Sequence, residues 1–269
     1  MTATRALIPS QPRIAYLTAG SGTEVVVLLH GVGSSASTWH LLIPALPQEL
    51  RVVAPDFRGH GASDAPPGPY RLDDFVDDLV RLLDELSLAK VHLVGFSLGA
   101  IIAEAAAIAH PERVASLILL NSIADRLPAE RERALARLEA VRSTPPAELA
   151  QASASRWFTP DFIAQRPELV GEEVRIVSQT KPEPYAAAYE VLARAEIIDE
   201  VGAITAPTLI VTGENDVGST PRMSRELHTR IPGSELHIVP GLQHYLHAEA
   251  AAVIAELIGR FIADHRLEP

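Results

Sequence analysis

A serine hydroxyl, an imidazole and a carboxylate can together transfer an acyl group, and the chain offers candidates for all three. Gly95-Phe96-Ser97-Leu98-Gly99 follows the apolar run Val91-His92-Leu93-Val94 and precedes the helix-like stretch Ala100–Ala107. Gly-x-Ser-x-Gly between a strand and a helix is the pattern of a nucleophile elbow, a turn so tight that its serine takes strained backbone angles. The flanking glycines are needed because that turn packs against neighbouring backbone. The alternative is an ordinary turn serine.

A serine hydroxyl is a weak nucleophile at neutral pH and needs a base, which in turn needs an orienting carboxylate. On an elbow of this kind the acid and then the histidine follow along the chain. Gly213-Glu214-Asn215-Asp216 follows the strand-like run Thr208–Thr212, and Pro240-Gly241-Leu242-Gln243-His244 follows the run Glu235–Val239. Ser97, Asp216 and His244 are therefore the expected triad. Glu214 and Asp125 compete for the acid, and His247 competes for the base. A hydrolase working this way loses activity on the acid side as its base takes up a proton.

Acyl transfer also needs two N–H groups facing the oxygen that becomes negative, each worth about 3 to 4 kcal/mol in the transition state. Leu98, directly after the nucleophile, supplies one. The loop His30-Gly31-Val32-Gly33-Ser34-Ser35 follows the run Val25–Leu29, and its glycines let the Val32 N–H approach as the second. His30 reads as a brace for that loop. Asp56-Phe57-Arg58-Gly59-His60-Gly61-Ala62-Ser63 lacks the Gly-Lys-Ser/Thr ending of a phosphate loop and reads as a structural turn tied down by Asp56 and Arg58.

The elements that must position these groups alternate. Arg13–Leu17, Val25–Leu29, Arg51–Pro55, Val91–Val94, Val114–Leu120, Thr208–Thr212 and Glu235–Val239 read as strands. Asp73–Leu86 and Ala248–Ala263 carry helical spacing of apolar residues. Strands separated by helices predict an α/β fold with a mostly parallel sheet. From Ser122 to Ala206 no strand is evident. Ala129–Arg142, Ala147–Trp157, Pro160–Gln179 and Pro184–Ala195 read as helices of an insertion lying over the carboxyl edge of the sheet.

Composition narrows the function classes. The 269 residues are 47% hydrophobic, enough for a sizeable core, and the net charge of −11 disfavours nucleic acid and anionic membranes as partners. There is no cysteine, so disulfides, thiolate metal sites and thiol catalysis drop out. No His/Asp/Glu spacing suggests a metal site, and no cofactor is expected. The segment Met1–Pro9 has no apolar core of signal-peptide length, and no run approaches the roughly 18 apolar residues of a membrane span, so a cytoplasmic protein is expected. Oligomeric state is left open.

Taken together, His30-Gly31-Val32-Gly33 with Trp39, Asp56-x-Arg58-Gly59-His60-Gly61-x-Ser63, Gly95-x-Ser97-x-Gly99, Gly213-x-x-Asp216 and Gly241-x-x-His244 resemble the α/β-hydrolase superfamily over essentially the whole chain. Ala100, where many of its members have a second glycine, is a small departure. The resemblance implies an eight-stranded, mostly parallel sheet flanked by helices. It also implies a core of residues 1–122 and 206–269 and a helical cap of residues 123–205 that sets substrate preference. Arg156–Phe162 and Pro207–Gly213 are most similar to the 3-oxoadipate enol-lactonase and carboxylesterase-like branch.

That branch implies a serine hydrolase of small esters or lactones. Its alternatives are C–C bond or amide hydrolysis, cofactor-free haloperoxidase-like activity, and a non-catalytic ligand receptor on the same fold. A serine at position 97 argues against dehalogenases and epoxide hydrolases, which use aspartate. Trp157, Phe158 and Phe162 are candidates for an apolar wall of the substrate pocket, with cap packing as their alternative. Arg126, Arg156 and Lys181 are the cations that would meet a substrate carboxylate, with surface salt bridging as theirs.

Overall fold

In the computed structural model, which describes residues 1–267, eight strands form one sheet. They are β1 (Thr4–Leu7), β2 (Ala15–Ala19), β3 (Glu24–Leu29), β4 (Leu50–Pro55), β5 (Val91–Phe96), β6 (Val114–Leu120), β7 (Thr208–Gly213) and β8 (Glu235–Val239). Their spatial order is β1-β2-β4-β3-β5-β6-β7-β8. The pairs β1/β2 and β2/β4 are antiparallel and the rest are parallel. β1 was not legible because it is a short edge strand whose residues are mostly exposed, so it carries no apolar run. The expected strand Arg13–Leu17 forms two residues later, as β2.

The central strands read as continuous apolar runs because both faces of the sheet are covered. Val27 and Leu29 face one cluster while Val26 and Leu28 face the other; Leu117 and Leu119 against Ile118 and Leu120 repeat the pattern. Helices α1 (Leu42–Ala45), α2 (Leu72–Glu85) and α3 (Leu98–Ala109) come first. Next are α4 (Pro128–Ser143), α5 (Pro146–Trp157), α6 (Pro160–Gln165), α7 (Pro167–Ser178) and α8 (Pro182–Arg194). The last are α9 (Pro221–Arg230), α10 (Leu246–Glu249) and α11 (Ala251–Asp264). Among the described residues no helix is long and apolar enough to cross a membrane.

Between β6 and β7 the described chain holds helices and no strand, with α4 packed on α8 and α5 on α7. The stretch Pro160–Gln179 is two helices rather than one. Pro167 lacks the N–H to continue α6, and Arg166 before it leaves helical angles at φ −132° and ψ 51°. The closing helix is likewise broken, at Ala250, into α10 and α11. Helix α9 was not anticipated: PRMSRELHTR is mostly polar and buries only Met223, Ser224 and Leu227. The range read as core runs to residue 269, and residues 268 and 269 lie outside those described.

Every parallel strand from β3 to β8 except β4 delivers a group to the candidate site at its carboxyl end. β3 leads to His30–Ser35, β5 to Ser97, β6 to Asn121, β7 to Asp216 and β8 to His244.

Candidate active site

Ser97 sits at φ 55° and ψ −112°, a conformation L-residues seldom adopt, and caps the N-terminus of α3. Surrounding bonds hold the strain in place. The Ser97 N–H donates to Leu120 O (3.0 Å), and its carbonyl accepts from the N–H groups of Ala100 (3.0 Å) and Ile101 (3.3 Å). A methyl group at Gly95 would lie 2.3 Å from Gly99 O, and one at Gly99 would lie 2.1 Å from Leu29 O. Both are backbone contacts that cannot yield, so only glycine fits either position.

The His244 Nδ1–H donates to Asp216 Oδ2 at 2.6 Å, which leaves its Nε2 as the acceptor. Asp216 is 3% exposed and fully engaged. Oδ2 also accepts from Asn121 Nδ2 (2.6 Å), and Oδ1 accepts from the N–H groups of Gly218 (2.8 Å) and Ser219 (3.0 Å). Burial opposes ionisation of this carboxyl, but the His244 ring and these donors outweigh it and hold the group below the usual carboxylate range. Ser97, Asp216 and His244 line one cavity. No direct Ser97–His244 hydrogen bond exists among the described residues; such bonds are often long before substrate tightens them.

The rival groups are occupied elsewhere. Asp125 pairs with Arg222 (3.1 Å), and Glu214 accepts from the Gly241 N–H (2.9 Å). His247 is fully buried; burial, followed by the His244 and His40 charges, pushes its imidazole down to about 3, so it cannot take a proton at neutral pH.

The loop after β3 is pinned from several sides. His30 Nδ1–H donates to Gly31 O (2.7 Å), and its Nε2 accepts from the Phe57 N–H (3.0 Å). His60 Nε2 accepts from the Gly33 N–H (3.0 Å), and the Thr180 hydroxyl donates to Gly33 O (2.5 Å). The N–H groups of Val32 and Leu98 donate to no protein acceptor among the described residues, the condition a pair of oxyanion donors must meet. The Asp56–Ser63 turn is structural: Asp56 accepts from the N–H groups of Ala36 (2.7 Å) and Ala62 (2.9 Å) and pairs with Arg5. Arg58 grips Asp78 with two bonds, at 2.7 and 2.9 Å.

The cavity above Ser97 has a volume of about 140 Å³. Of the six residues nominated for the substrate, Trp157 and Arg156 line it. Phe158 does not. The chain leaves α5 at Phe158 with extended backbone (φ −124°, ψ 149°), which turns the ring away from the cavity and fully buries it. Phe162 does not line it either, but stacks on Phe158 with centroids 5.3 Å apart, so these two rings are packing. Arg126 lies outside the cavity, donating to Leu192 O (2.6 Å) and Ala195 O (3.2 Å). Lys181 lines a separate hollow beside Pro66 and Pro69.

Known proteins share this fold. A family profile described as the alpha/beta hydrolase fold matches residues 24–251. The chain belongs to the α/β-hydrolase fold family. 3-oxoadipate enol-lactonase 2 of Acinetobacter baylyi is 33% identical over 225 residues, 83% of this chain and 84% of that protein. 2-hydroxymuconate semialdehyde hydrolase of Pseudomonas sp. strain CF600 is 31% identical over 275 residues, 97% of this chain and 94% of that one. The crystal structure of the enol-lactonase from Burkholderia xenovorans LB400 superposes with a TM-score of 0.90 at 27% identity, covering 96% of this chain and 100% of that one. Fold and relatives together make this chain a hydrolase.

Several residues of this α/β hydrolase's site escaped the sequence reading. Asn121 holds Asp216 from the end of β6, at φ 50°, a conformation asparagine tolerates better than most residues. Arg137, Ser153, Tyr185 and Tyr189 line the cavity from α4, α5 and α8. A signal was present. Ser153, Arg156 and Trp157 share a helix face at i, i+3 and i+4, as do Tyr185, Tyr189 and Leu192 at i, i+4 and i+7. Polar residues on such faces read as solvated until a partner surface is known.

Proposed function

We propose that this hydrolase cleaves small carboxylic esters or lactones through an acyl-enzyme, with Ser97 as nucleophile, His244 as base and acid, and Asp216 as the group that orients His244. One observation carries the reading: the 2.6 Å Asp216–His244 bond leaves an imidazole acceptor on the wall of the cavity that also holds the strained Ser97. His244 Nε2 takes the proton of Ser97 Oγ as that oxygen attacks the carbonyl carbon. The N–H groups of Val32 and Leu98 stabilise the resulting oxyanion. Collapse breaks the bond to the leaving oxygen, which receives the proton from Nε2; in a lactone that oxygen stays tethered to the acyl chain. Water then attacks the acyl-enzyme, giving one proton to Nε2, and that proton returns to Ser97 Oγ as the acid departs.

The cavity of about 140 Å³ is close to the roughly 150 Å³ that accepts one benzene ring, which favours a small substrate. The helical segment 123–205 is the cap in this reading, since α4, α5 and α8 line the same cavity as Ser97. Similarity to enol-lactonases in both sequence and structure favours lactone or ester over other bonds.

The test is Ser97→Ala together with a fluorophosphonate probe. Hydrolysis of short nitrophenyl esters should fall by about 10⁴-fold or more and labelling should vanish. Full activity in that variant would remove Ser97 from the mechanism. Assays beside lactones, a vinylogous diketone and an aminoacrylate decide the bond class.

A further inference from the structure

The segment that carries His244 is held by two different parts of the molecule. On its amino side it is tied to the loop that carries Asp216. The Gly241 N–H donates to Glu214 Oε2 (2.9 Å), and Leu242 O accepts from the Asn215 N–H (2.8 Å). On its carboxyl side the ties run to the helical insertion instead. Among the described residues, one backbone bond joins 243–249 to another element, from the Tyr245 N–H to Trp157 O (2.9 Å). The rings of Trp157 and Phe158 also pack on Tyr245, with centroids 4.9 and 5.2 Å away. His244 lies where the two sets of ties meet.

Glu249 completes the second set. Its Oε2 accepts from the Thr159 N–H (3.1 Å), and its Oε1 accepts from the Thr159 hydroxyl. Both oxygens of the carboxylate thus serve one residue, which lies between α5 and α6. The N–H groups of Ala248 and Glu249 both donate to Tyr245 O (2.9 Å each), so Glu249 and Tyr245 belong to one short turn, next to His244. Leu246 and Ala248 of that turn are buried in the core. Apolar burial is non-directional, whereas bonds to a carboxylate fix geometry as well as depth.

We propose that Glu249 is a positioning residue for His244. Clasped to Thr159, it holds the His244 turn against the end of α5, so that the base and the Trp157 wall of the cavity are placed as one unit. The inference rests on the reading of His244 as the base and extends it to a carboxylate that meets neither substrate nor reacting atoms. The scale of the effect follows from geometry, since a misplacement of about 1 Å can cost about 100-fold in rate.

The test uses the full chain and a neutral short nitrophenyl ester. Glu249→Ala should lower kcat by about 10- to 100-fold while KM stays within about twofold. Thr159→Val removes the hydroxyl donor and should lower kcat by about 3- to 10-fold. Thr159→Ser keeps both donors and should match wild type. Hydrogen exchange reads the clasp without turnover: residues 240–249 should exchange faster in Glu249→Ala, while β6 and β7 keep their protection. An unchanged kcat in a Glu249→Ala that melts like wild type, a loss confined to KM, or unchanged exchange over 240–249 overturns the proposal. If Glu249→Ala does not fold, the two Thr159 variants decide it, and equal kcat in both overturns it. Absence of ester turnover and of fluorophosphonate labelling in the wild type instead defeats the triad reading, and exchange still decides whether Glu249 holds the His244 turn.

Discussion

Two histidines pack against the ring of Phe96, His244 with centroids 4.8 Å away and His247 at 4.4 Å, and each has a carboxyl within its network. His244 bonds directly to Asp216, which receives three further N–H donors. His247 reaches its carboxyl only through a hydroxyl: Thr38 Oγ1 lies 3.0 Å from His247 Nε2 and 2.8 Å from Glu173 Oε2. Burial pushes the Glu173 carboxyl up to about 8, against one bond from Thr38, with the nearby Glu172 charge adding to the rise. Among the described residues Glu173 Oε1 and His247 Nδ1 have no hydrogen-bond partner, and His40 Nδ1 lies 3.5 Å from Glu173 Oε1. An imidazole and a carboxyl therefore give an ionised carboxylate that orients a ring in one place and a protonated carboxyl beside a packed ring in the other. The number of donors aimed at the carboxyl decides which. Glu173 lies on α7 and Thr38 on the turn Ala36–His40, so the neutral pair joins the helical insertion to the core.

The comparison breaks if the two pairs respond alike to substitution. Asp216→Asn should lower kcat on a neutral ester by about 10⁴-fold, because the amide favours the wrong imidazole tautomer. Steady-state kinetics check this, and the matching Glu173→Gln should leave kcat close to wild type. Asn121→Ala removes one donor from the ionised carboxylate and should cost about 10- to 100-fold in kcat/KM.

The pH dependence of stability should have opposite signs in the two regions. The Asp216 carboxyl is held below its ordinary value, so its contribution is present above the unfolded-state value and is lost as pH falls through the folded one. Glu173, and likewise Glu104 on α3, whose carboxyl burial lifts to about 8 against a bond from Ser122, keep a proton in the folded chain that an unfolded glutamate has released. Their contribution is complete below about 4.5, the ordinary value, and is lost as pH rises through about 8. Thermal melts from pH 5 to 9 should therefore show falling stability, with Glu173→Gln and Glu104→Gln each flattening the slope. A slope unchanged in both variants would show that neither carboxyl carries it. The smallest effect is expected for His247→Leu, within about 1 kcal/mol by chemical denaturation, since it removes an unpaired buried nitrogen and leaves Thr38 bonded to Glu173. His244→Leu by contrast should abolish turnover.

Much of this was legible in the chain. Val26–Leu29 and Leu117–Leu120 announced buried parallel strands because both of their faces are covered. β1 was not legible because its residues are largely exposed, and α9 because it is mostly polar, with Met223 and Leu227 its only buried apolar residues. Trp157 and Phe158 are neighbours of similar character, yet one lines the cavity and the other packs beneath it, a distinction made by the backbone leaving the helix between them.

The sequence alone determined the elbow, since five residues dictate its backbone: only glycine at 95 and 99 clears the carbonyls of Gly99 and Leu29. It also determined the order in which the strand ends deliver serine, carboxylate and imidazole. Only the tertiary structure decided that His244 rather than His247 meets the aspartate, and that Arg137 and Arg156, on different helices, share one serine hydroxyl. The physical reason is range. Steric limits on φ and ψ act between neighbours in the chain, whereas burial, charge pairing and hydrogen-bond supply depend on segments that meet only when the fold closes.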